Sequence, residues 1–99
     1  MHKASPMYEF SAEKNQQLIM ESGISFEEAI AALNNNQLID IIDHPNASKY
    51  PNQLIYILEI NGYVYLLPFV RKNESTVFLK TLFPSRKLTK KYLINGEAS

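Results

Sequence analysis

The residues best suited to chemistry are cations near the end of the chain. Seven of the ten lysine and arginine side chains share residues 71–92 with a single acid, Glu74: Arg71, Lys72, Lys80, Arg86, Lys87, Lys90 and Lys91. Before residue 71 the balance reverses, with three lysines against eight carboxylates. Because the formal net charge of the chain is zero, this asymmetry predicts one basic face, and phosphate is the anion that such a face usually attracts.

Two of these cations have positions that suit catalysis. Lys80 alternates with Phe78 and Leu82 in a predicted strand, so the three side chains are expected on one face. Either the lysine stem covers apolar surface while the ammonium reaches water, or Lys80 lies in a cleft as a general acid or base. Arg86 follows this strand, where its guanidinium either holds a scissile phosphate or forms an ordinary surface ion pair.

The remaining candidates are a histidine, a tyrosine and more lysines. His44 lies beside Asp43 in a polar loop, where it either moves protons near neutral pH or caps a turn. Tyr92 either stacks on a base or anchors the end of the chain to the sheet. We expect the other cations to attract phosphate rather than to catalyse, which makes them candidate nucleic-acid contacts: Lys87, Lys90, Lys91, Arg71 and Lys72.

Several standard sites are missing from the sequence. There are two histidines and no cysteines, and there is no Gly-rich phosphate loop, nucleophile elbow or HExxH motif. The acids show no pairing suited to carboxylate catalysis or to a two-metal site. We therefore expect no metal and no cofactor.

Length and composition predict a single domain over residues 1–99. A chain of this size, 45% hydrophobic, can bury one core. The absence of cysteine favours an intracellular setting. The start of the chain lacks the apolar segment of a signal peptide, and no apolar run is long enough for a membrane span. We expect a cytoplasmic protein with no membrane partner.

Two helices are predicted near the start, after a tail or short leading strand over residues 1–9. Ser11 caps the first helix, which continues to Glu21 or Ser22 and stops at Gly23. Ser25-Phe-Glu-Glu28 is a capping box, and the apolar residues that follow recur at helical spacing up to residues 34–36. We expect the two helices to form a hairpin that covers a sheet.

The rest of the chain predicts strands. A short run over residues 38–42 precedes a polar loop, and strands over 53–60 and 63–70 flank Asn61-Gly62, a strong hairpin signal. The last strand is predicted over 76–83, and Pro68 should mark a bulge or an edge. Ser85 or Thr89 can cap a short terminal helix that ends near Asn95-Gly96. The predicted fold class is α+β: a helical hairpin on a three- to four-stranded antiparallel sheet, with a short C-terminal helix.

Four segments occur in the following order: Phe10-Ser-Ala-Glu-Lys-Asn15, Glu21-Ser-Gly-Ile-Ser-Phe-Glu-Glu-Ala29, Asp43-His44 and the segment from Phe78 to Tyr92. Together they resemble the BrnT family, toxins of bacterial type II toxin-antitoxin systems with a fold similar to the RelE ribonucleases. Ser85-Arg-Lys-Leu-Thr-Lys-Lys91 is similar to the family's Ser-Ala-Arg-Lys-Ala-Thr segment, which places the family's arginine on Arg86. The sequence departs from the family at Lys80, where an arginine is usual, and in the fewer aromatic residues at its start.

The resemblance implies an RNA-cleaving toxin that blocks translation and is neutralised by a DNA-binding antitoxin. In this hypothesis the enzyme is a metal-independent endoribonuclease: Arg86 stabilises the charge on the phosphorane, and Lys80, His44 or Tyr92 moves a proton. Association with the ribosome is left open. The alternative is a non-catalytic module whose basic C-terminal face binds nucleic acid or an acidic protein. In either case a sheet edge or the basic face is available to an antitoxin.

Overall fold

The structure, a computed structural model, describes residues 6–94 and begins with a strand. Its elements in chain order are β1 (Met7–Phe10), α1 (Ala12–Ser22), α2 (Phe26–Asn34), β2 (Leu38–Asp43), β3 (Gln53–Ile60), β4 (Tyr63–Arg71), β5 (Thr76–Leu79), β6 (Phe83–Pro84) and α3 (Arg86–Thr89), which continues as a π-helical turn, Lys90–Ile94. The predicted end of the last helix, near Asn95-Gly96, lies outside the described residues. No helix within residues 6–94 is long and apolar enough to cross a membrane.

The sheet confirms the α+β class but differs from the predicted sheet in size and direction. It has six strands in the order β1-β5-β4-β3-β2, with β6 paired to β4. The pairs β2–β3, β3–β4, β4–β5 and β4–β6 are antiparallel, whereas β1 runs parallel to β5. The prediction of three or four antiparallel strands is therefore wrong, because a parallel pair between the two ends of a chain leaves no local signal in the sequence.

The predicted helix boundaries follow from the caps. Ser11 accepts a hydrogen bond from the Lys14 N–H, and Gly23 closes α1 in the left-handed conformation at φ 71°. Ser25 and Glu28 form both hydrogen bonds of the capping box at the start of α2. Such caps satisfy backbone groups that a helix end leaves without a partner, so they define the boundaries locally.

A buried asparagine joins the two helices near their first turns. The Asn15 side chain accepts a hydrogen bond from the Phe26 N–H at 2.8 Å and donates one to Glu27 Oε1, also at 2.8 Å. This donation is the main reason that the pKa of Glu27 lies below its ordinary value. The structure does not confirm the predicted helical hairpin, because these hydrogen bonds join the start of α1 to the start of α2.

Pro68 lies in the interior of the sheet, at a point where β4 changes partner. The β3–β4 register runs without a shift from Gln53↔Val70 to Ile60↔Tyr63. The irregularity predicted at Pro68 lies on the other side of β4, where the pairing passes from β5 at Phe69↔Leu79 to β6 at Leu66↔Phe83 with a shift of one residue. The Pro68 carbonyl accepts a hydrogen bond from the Lys80 N–H at 2.8 Å, just after the end of β5. In a strand the N and the carbonyl of one residue point to the same side, so the missing N–H of Pro68 faces the interruption between β5 and β6.

The sheet buries side chains on both faces. The first face carries the main core, which joins α1 and α2 to alternate strand residues: Leu18, Phe26, Ala29, Tyr56, Leu58, Leu67, Phe69, Val77 and Leu79. The intervening residues of β3 and β4 point to the opposite side, which we call the second face: Ile55, Ile57, Val64, Leu66 and Pro68. All of these except the half-buried Leu66 are buried, so β3 and β4 are covered on both sides.

The edge strand β2 is protected against further pairing. Its register with β3 shifts between Leu38 and Asp40. The Asp40 carboxylate also accepts a hydrogen bond from the Ile41 N–H at 2.8 Å. Bulges and charged side chains on an edge strand hinder pairing with another chain. The helix-free outer side of β2 is therefore a poor template for a partner strand.

The hydrogen bonds of Asn15 lead to a prediction about stability. Asn15→Ala should lower the free energy of unfolding by about 1–3 kcal/mol, because the buried Phe26 N–H loses its acceptor. Urea unfolding followed by circular dichroism measures this loss. Gln16→Ala, at the exposed neighbouring position, should change stability by no more than about 0.5 kcal/mol. Equal effects of the two substitutions would contradict the role of Asn15.

A second prediction concerns alkaline pH. Burial, together with the neighbouring Tyr8 phenol, raises the pKa of Tyr56 to about 12. An unfolded tyrosine ionises at pH ~10, so the stability that depends on neutral Tyr56 is complete below that pH. It is lost as the pH rises toward the folded-state pKa. Tyr56→Phe should therefore flatten the fall in stability above pH ~10, as measured by urea unfolding, whereas Tyr63→Phe should keep the wild-type slope.

Candidate functional site

A cavity of about 450 Å³ opens on the second face of the sheet. Its lining comes from three parts of the chain: the β2–β3 loop, the β3–β4 strands and the segment that joins β5 to β6. The lining residues are His44, Pro45, Tyr50, Gln53, Ile55, Leu66, Pro68, Lys80, Thr81 and Phe83. Two of the predicted catalytic residues, His44 and Lys80, thus line one cavity. Its volume is typical of a small-molecule site.

The floor of the cavity is apolar and belongs to the central hairpin. Ile55 pairs with Pro68 across β3 and β4, and both side chains are buried. Leu66 extends this floor, and it pairs with Phe83 of β6. Since paired residues of neighbouring strands carry their side chains on the same face, Phe83 stands beside Leu66 at the cavity. It is 43% exposed, which leaves its ring available to a ligand.

His44 is held by its own loop. Its backbone N–H donates to the Gln53 carbonyl at 3.2 Å, and its Nδ1 accepts a hydrogen bond from the Asn46 N–H at 3.0 Å. The ring also packs against Tyr50, with centroids 4.4 Å apart and planes tilted by 35°. With Nδ1 acting as acceptor, the neutral imidazole carries its hydrogen on Nε2. His44 therefore caps a turn, as one of the two sequence alternatives predicted, and it also lines the cavity, whereas its part in proton transfer stays a prediction.

Lys80 enters the cavity from the other side. β5 ends at Leu79, and the exposed Lys80 is the first residue beyond the strand. Its Nζ lies 5.6 Å from the centroid of the Phe78 ring. The prediction that Leu82 shares this face is wrong. The chain leaves the ladder between residues 79 and 83, which breaks the alternation and directs Leu82 into the main core.

The cations of the last segment lie on α3 and its π-helical turn. Ser85 caps α3 by accepting a hydrogen bond from the Leu88 N–H. Of the two predicted caps, Ser85 and Thr89, the structure therefore uses Ser85. The second, Thr89, is buried: its hydroxyl donates to the Ser85 carbonyl at 2.7 Å and accepts from the Val64 N–H at 2.8 Å. The bond to the Val64 N–H fixes the segment to β4.

This anchoring leaves the basic side chains in solvent: Arg86, Lys87, Lys90 and Lys91 are all exposed. Tyr92 is half-buried, and the Lys91 Nζ lies 5.4 Å from the centroid of its ring. None of these residues is among those that line the cavity. The predicted catalytic set is therefore divided, with His44 and Lys80 in the cavity and Arg86 and Tyr92 on the C-terminal segment.

Arg71 and Lys72 occupy a third position. Arg71 ends β4, with its Cζ 5.7 Å from the centroid of the Phe69 ring. It lines a separate cavity of about 430 Å³ together with Asn52 and Leu54. Lys72 forms an exposed ion pair with Glu9, at 2.9 Å between Nζ and Oε1. The role of these two residues in RNA binding stays a prediction.

Sequence reasoning missed the four other polar or aromatic residues of the cavity: Tyr50, Gln53, Thr81 and Phe83. Phe83 was assigned to the end of one continuous strand, and Tyr50 belonged to a loop with no helix or strand pattern. Pro68 carried a usable signal, since a proline inside a strand requires a place without a ladder donor. Among residues 6–94, no group of His, Asp or Glu side chains could hold a metal ion.

The arrangement suits an anion next to an apolar group. The Lys80 ammonium donates up to three hydrogen bonds, and the neutral His44 ring donates one from Nε2. Donors placed where negative charge develops stabilise a transition state more than they do in bulk water. The apolar floor and the aromatic rings that line the same cavity can hold a flat ligand group.

The fold has a counterpart among solved structures. The 1.1 Å crystal structure of the Brucella abortus ribonuclease toxin BrnT matches with a TM-score of 0.59 and 16% sequence identity, and the match covers 80% of this chain and 96% of that one. This similarity confirms the BrnT-like fold that the sequence motifs predicted. At such an identity it shows the fold alone, so function has to be argued from the site. Neither a protein-family model nor a curated protein matches the chain.

The anchoring of α3 can be tested at Thr89. Thr89→Val keeps the shape of the side chain but leaves the buried Val64 N–H without an acceptor. The free energy of unfolding should therefore fall by about 1–3 kcal/mol. Thr89→Ser retains the hydroxyl and should lose less. Hydrogen exchange at the Val64 amide, measured by NMR, should accelerate in Thr89→Val only. Unchanged exchange in that variant would show that Thr89 does not hold the segment.

Proposed function

We propose that this protein is a ribonuclease toxin that cleaves RNA at the cavity between His44 and Lys80, without a metal ion. The observation that carries the proposal is that these two donors, distant in sequence, line one open cavity over an apolar floor. The fold shared with the Brucella ribonuclease toxin BrnT supports it. Because one fold can host many functions, the proposal rests mainly on the residues of the cavity, and the shared fold adds support.

The reaction is an attack of the RNA on itself. The 2′-oxygen forms a bond to the adjacent phosphorus, and the bond from phosphorus to the 5′-oxygen breaks. Lys80 gives a proton to the departing 5′-oxygen, while the proton of the 2′-hydroxyl passes to water at the open side of the cavity. The products are a 2′,3′-cyclic phosphate and a 5′-hydroxyl.

His44 has a different role in this scheme. Its Nδ1 is occupied by the Asn46 N–H, so the neutral ring presents a donor and no free acceptor toward the cavity. It therefore stabilises a non-bridging oxygen of the phosphorane rather than removing a proton. The hydrogen bond to Asn46 keeps the ring in this tautomer.

The C-terminal segment holds the rest of the RNA strand. Arg86, Lys87, Lys90 and Lys91 are exposed on consecutive turns, and Tyr92 offers a ring beside them. In this proposal they contact flanking phosphates, which gives affinity that falls with salt. Arg86 is the one member of this group for which the sequence resemblance also implies contact with the scissile phosphate.

The biological setting follows from toxicity. An RNA-cleaving toxin acts in the cytoplasm, where it blocks translation, and its host needs an antitoxin that covers the site until release. The cavity and the exposed cations are the surfaces that such a partner has to cover. The bulge and Asp40 on β2 make that edge the poorer choice.

The proposal predicts a large effect at Lys80. Induced expression of the wild type should arrest growth and cleave RNA, and Lys80→Ala should reduce cleavage of a defined RNA by about 100-fold or more, in line with the loss of a general acid. His44→Ala should also slow cleavage. Lys14→Ala, which removes a lysine of α1 on the other side of the sheet, should leave cleavage unchanged. Circular dichroism verifies that each variant is folded.

Arg86→Ala separates two roles for the arginine. If Arg86 holds the scissile phosphate, Arg86→Ala should reduce the cleavage rate as much as Lys80→Ala does, at every salt concentration. If it contacts a flanking phosphate, the defect is smaller and raised RNA concentration restores the rate. Salt-dependent RNA binding by a wild type that neither cleaves RNA nor arrests growth would overturn the nuclease proposal in favour of the non-catalytic binding module.

A further inference from the structure

The cavity contains more apolar and aromatic surface than a phosphate needs. Besides the donors His44 and Lys80, the lining contains two aromatic residues, Tyr50 and Phe83, together with the apolar floor. The Phe83 ring is 43% exposed although it is large and apolar. The two donors alone are sufficient to bind a phosphate, so the aromatic rings indicate a second, flat and apolar group in the same ligand.

We propose that this cavity binds one unstacked nucleobase of single-stranded RNA, with Phe83 as its stacking platform. The inference rests on the proposed function in taking RNA as the ligand, and it adds the form of RNA that fits. Aromatic side chains stack on any base, because every base has an apolar face. Sequence-tolerant contact with single strands is the usual result.

The geometry of β6 supports this assignment. Phe83 pairs with Leu66 of β4, so the strand pair fixes the backbone from which the ring projects. Lys80 precedes it by three residues and is anchored through its N–H to the Pro68 carbonyl. One short segment thus presents a ring for the base and an ammonium for its phosphate. The Gln53 amide and the Thr81 hydroxyl at the lining can meet the polar edge of the base.

A base in this cavity cannot remain paired. A base has to leave its stack to reach the apolar floor and the Phe83 ring, so the partner strand of a duplex would have to be removed, and unpairing costs a few kcal/mol per base. The site therefore selects loops, ends and unstructured regions. This preference for single-stranded RNA acts before the chemical step, so it can be measured as a difference in binding affinity.

The test uses RNA that cannot be cleaved. A single-stranded oligonucleotide with 2′-O-methyl groups has no free 2′-hydroxyl, so fluorescence anisotropy reports binding alone. Phe83→Ala should weaken this binding roughly 5- to 150-fold, the effect expected for the loss of one stacked base. Phe83→Trp should keep binding close to the wild type. Tyr63→Ala is the matched control, because Tyr63 is a half-buried aromatic residue of β4 outside the cavity.

Strand state is tested with the same oligonucleotide annealed to its complement. The wild type should bind this duplex at least about tenfold more weakly, as unpairing one base requires. Wild-type affinity in Phe83→Ala, or equal affinity for the single strand and the duplex, would overturn the inference even if the protein cleaves RNA. Conversely, loss of binding in Phe83→Ala, with no cleavage of unmodified RNA by the wild type, would support the base site and overturn the proposed nuclease.

Discussion

The whole structure depends on the ladder between β3 and β4. Asn61 and Gly62, at φ 54° and 81°, reverse the chain in the conformation that a two-residue hairpin requires. The register then runs without interruption from Ile60↔Tyr63 to Gln53↔Val70. Both faces of these two strands are covered, one by α1 and α2 with the main core and the other by α3 and the lining of the cavity. A slip of one residue would exchange these two faces, so the core and the site specify the same register.

The sequence predicted those parts of the fold that depend on neighbouring residues. The caps at Ser11, Gly23 and Ser25 and the turn at Asn61-Gly62 satisfy local backbone groups, so their residue types suffice to identify them. The parallel pairing of β1 with β5 joins distant segments through backbone groups that every residue has. No residue type encodes that choice, and so the size and direction of the sheet were predicted wrongly.

The candidate site was predicted as a set of residues and not as an arrangement. Lys80 and His44 were chosen for their chemistry, and the fold places them in one cavity because β4 lies between the strands that carry their loops. Arg86 was chosen by the same reasoning, and the hydrogen bonds of Thr89 place it on a different surface. The aromatic residues escaped prediction because Tyr50 and Phe83 line one cavity only after β3 and β6 have both paired with β4. Residue type identifies which groups can react, whereas topology decides which groups meet.

The interruption between β5 and β6 has an evolutionary consequence. The segment that spans it, residues 80–82, is held to β4 by a backbone hydrogen bond to the Pro68 carbonyl. Apart from the buried Leu82, its side chains do not take part in the main core. Substitutions at Lys80 and Thr81 should therefore change the free energy of unfolding little, since substitutions away from the core typically change it by no more than about 0.5 kcal/mol. New ligand preferences can arise at this rim while the β3–β4 ladder beneath it keeps the fold intact.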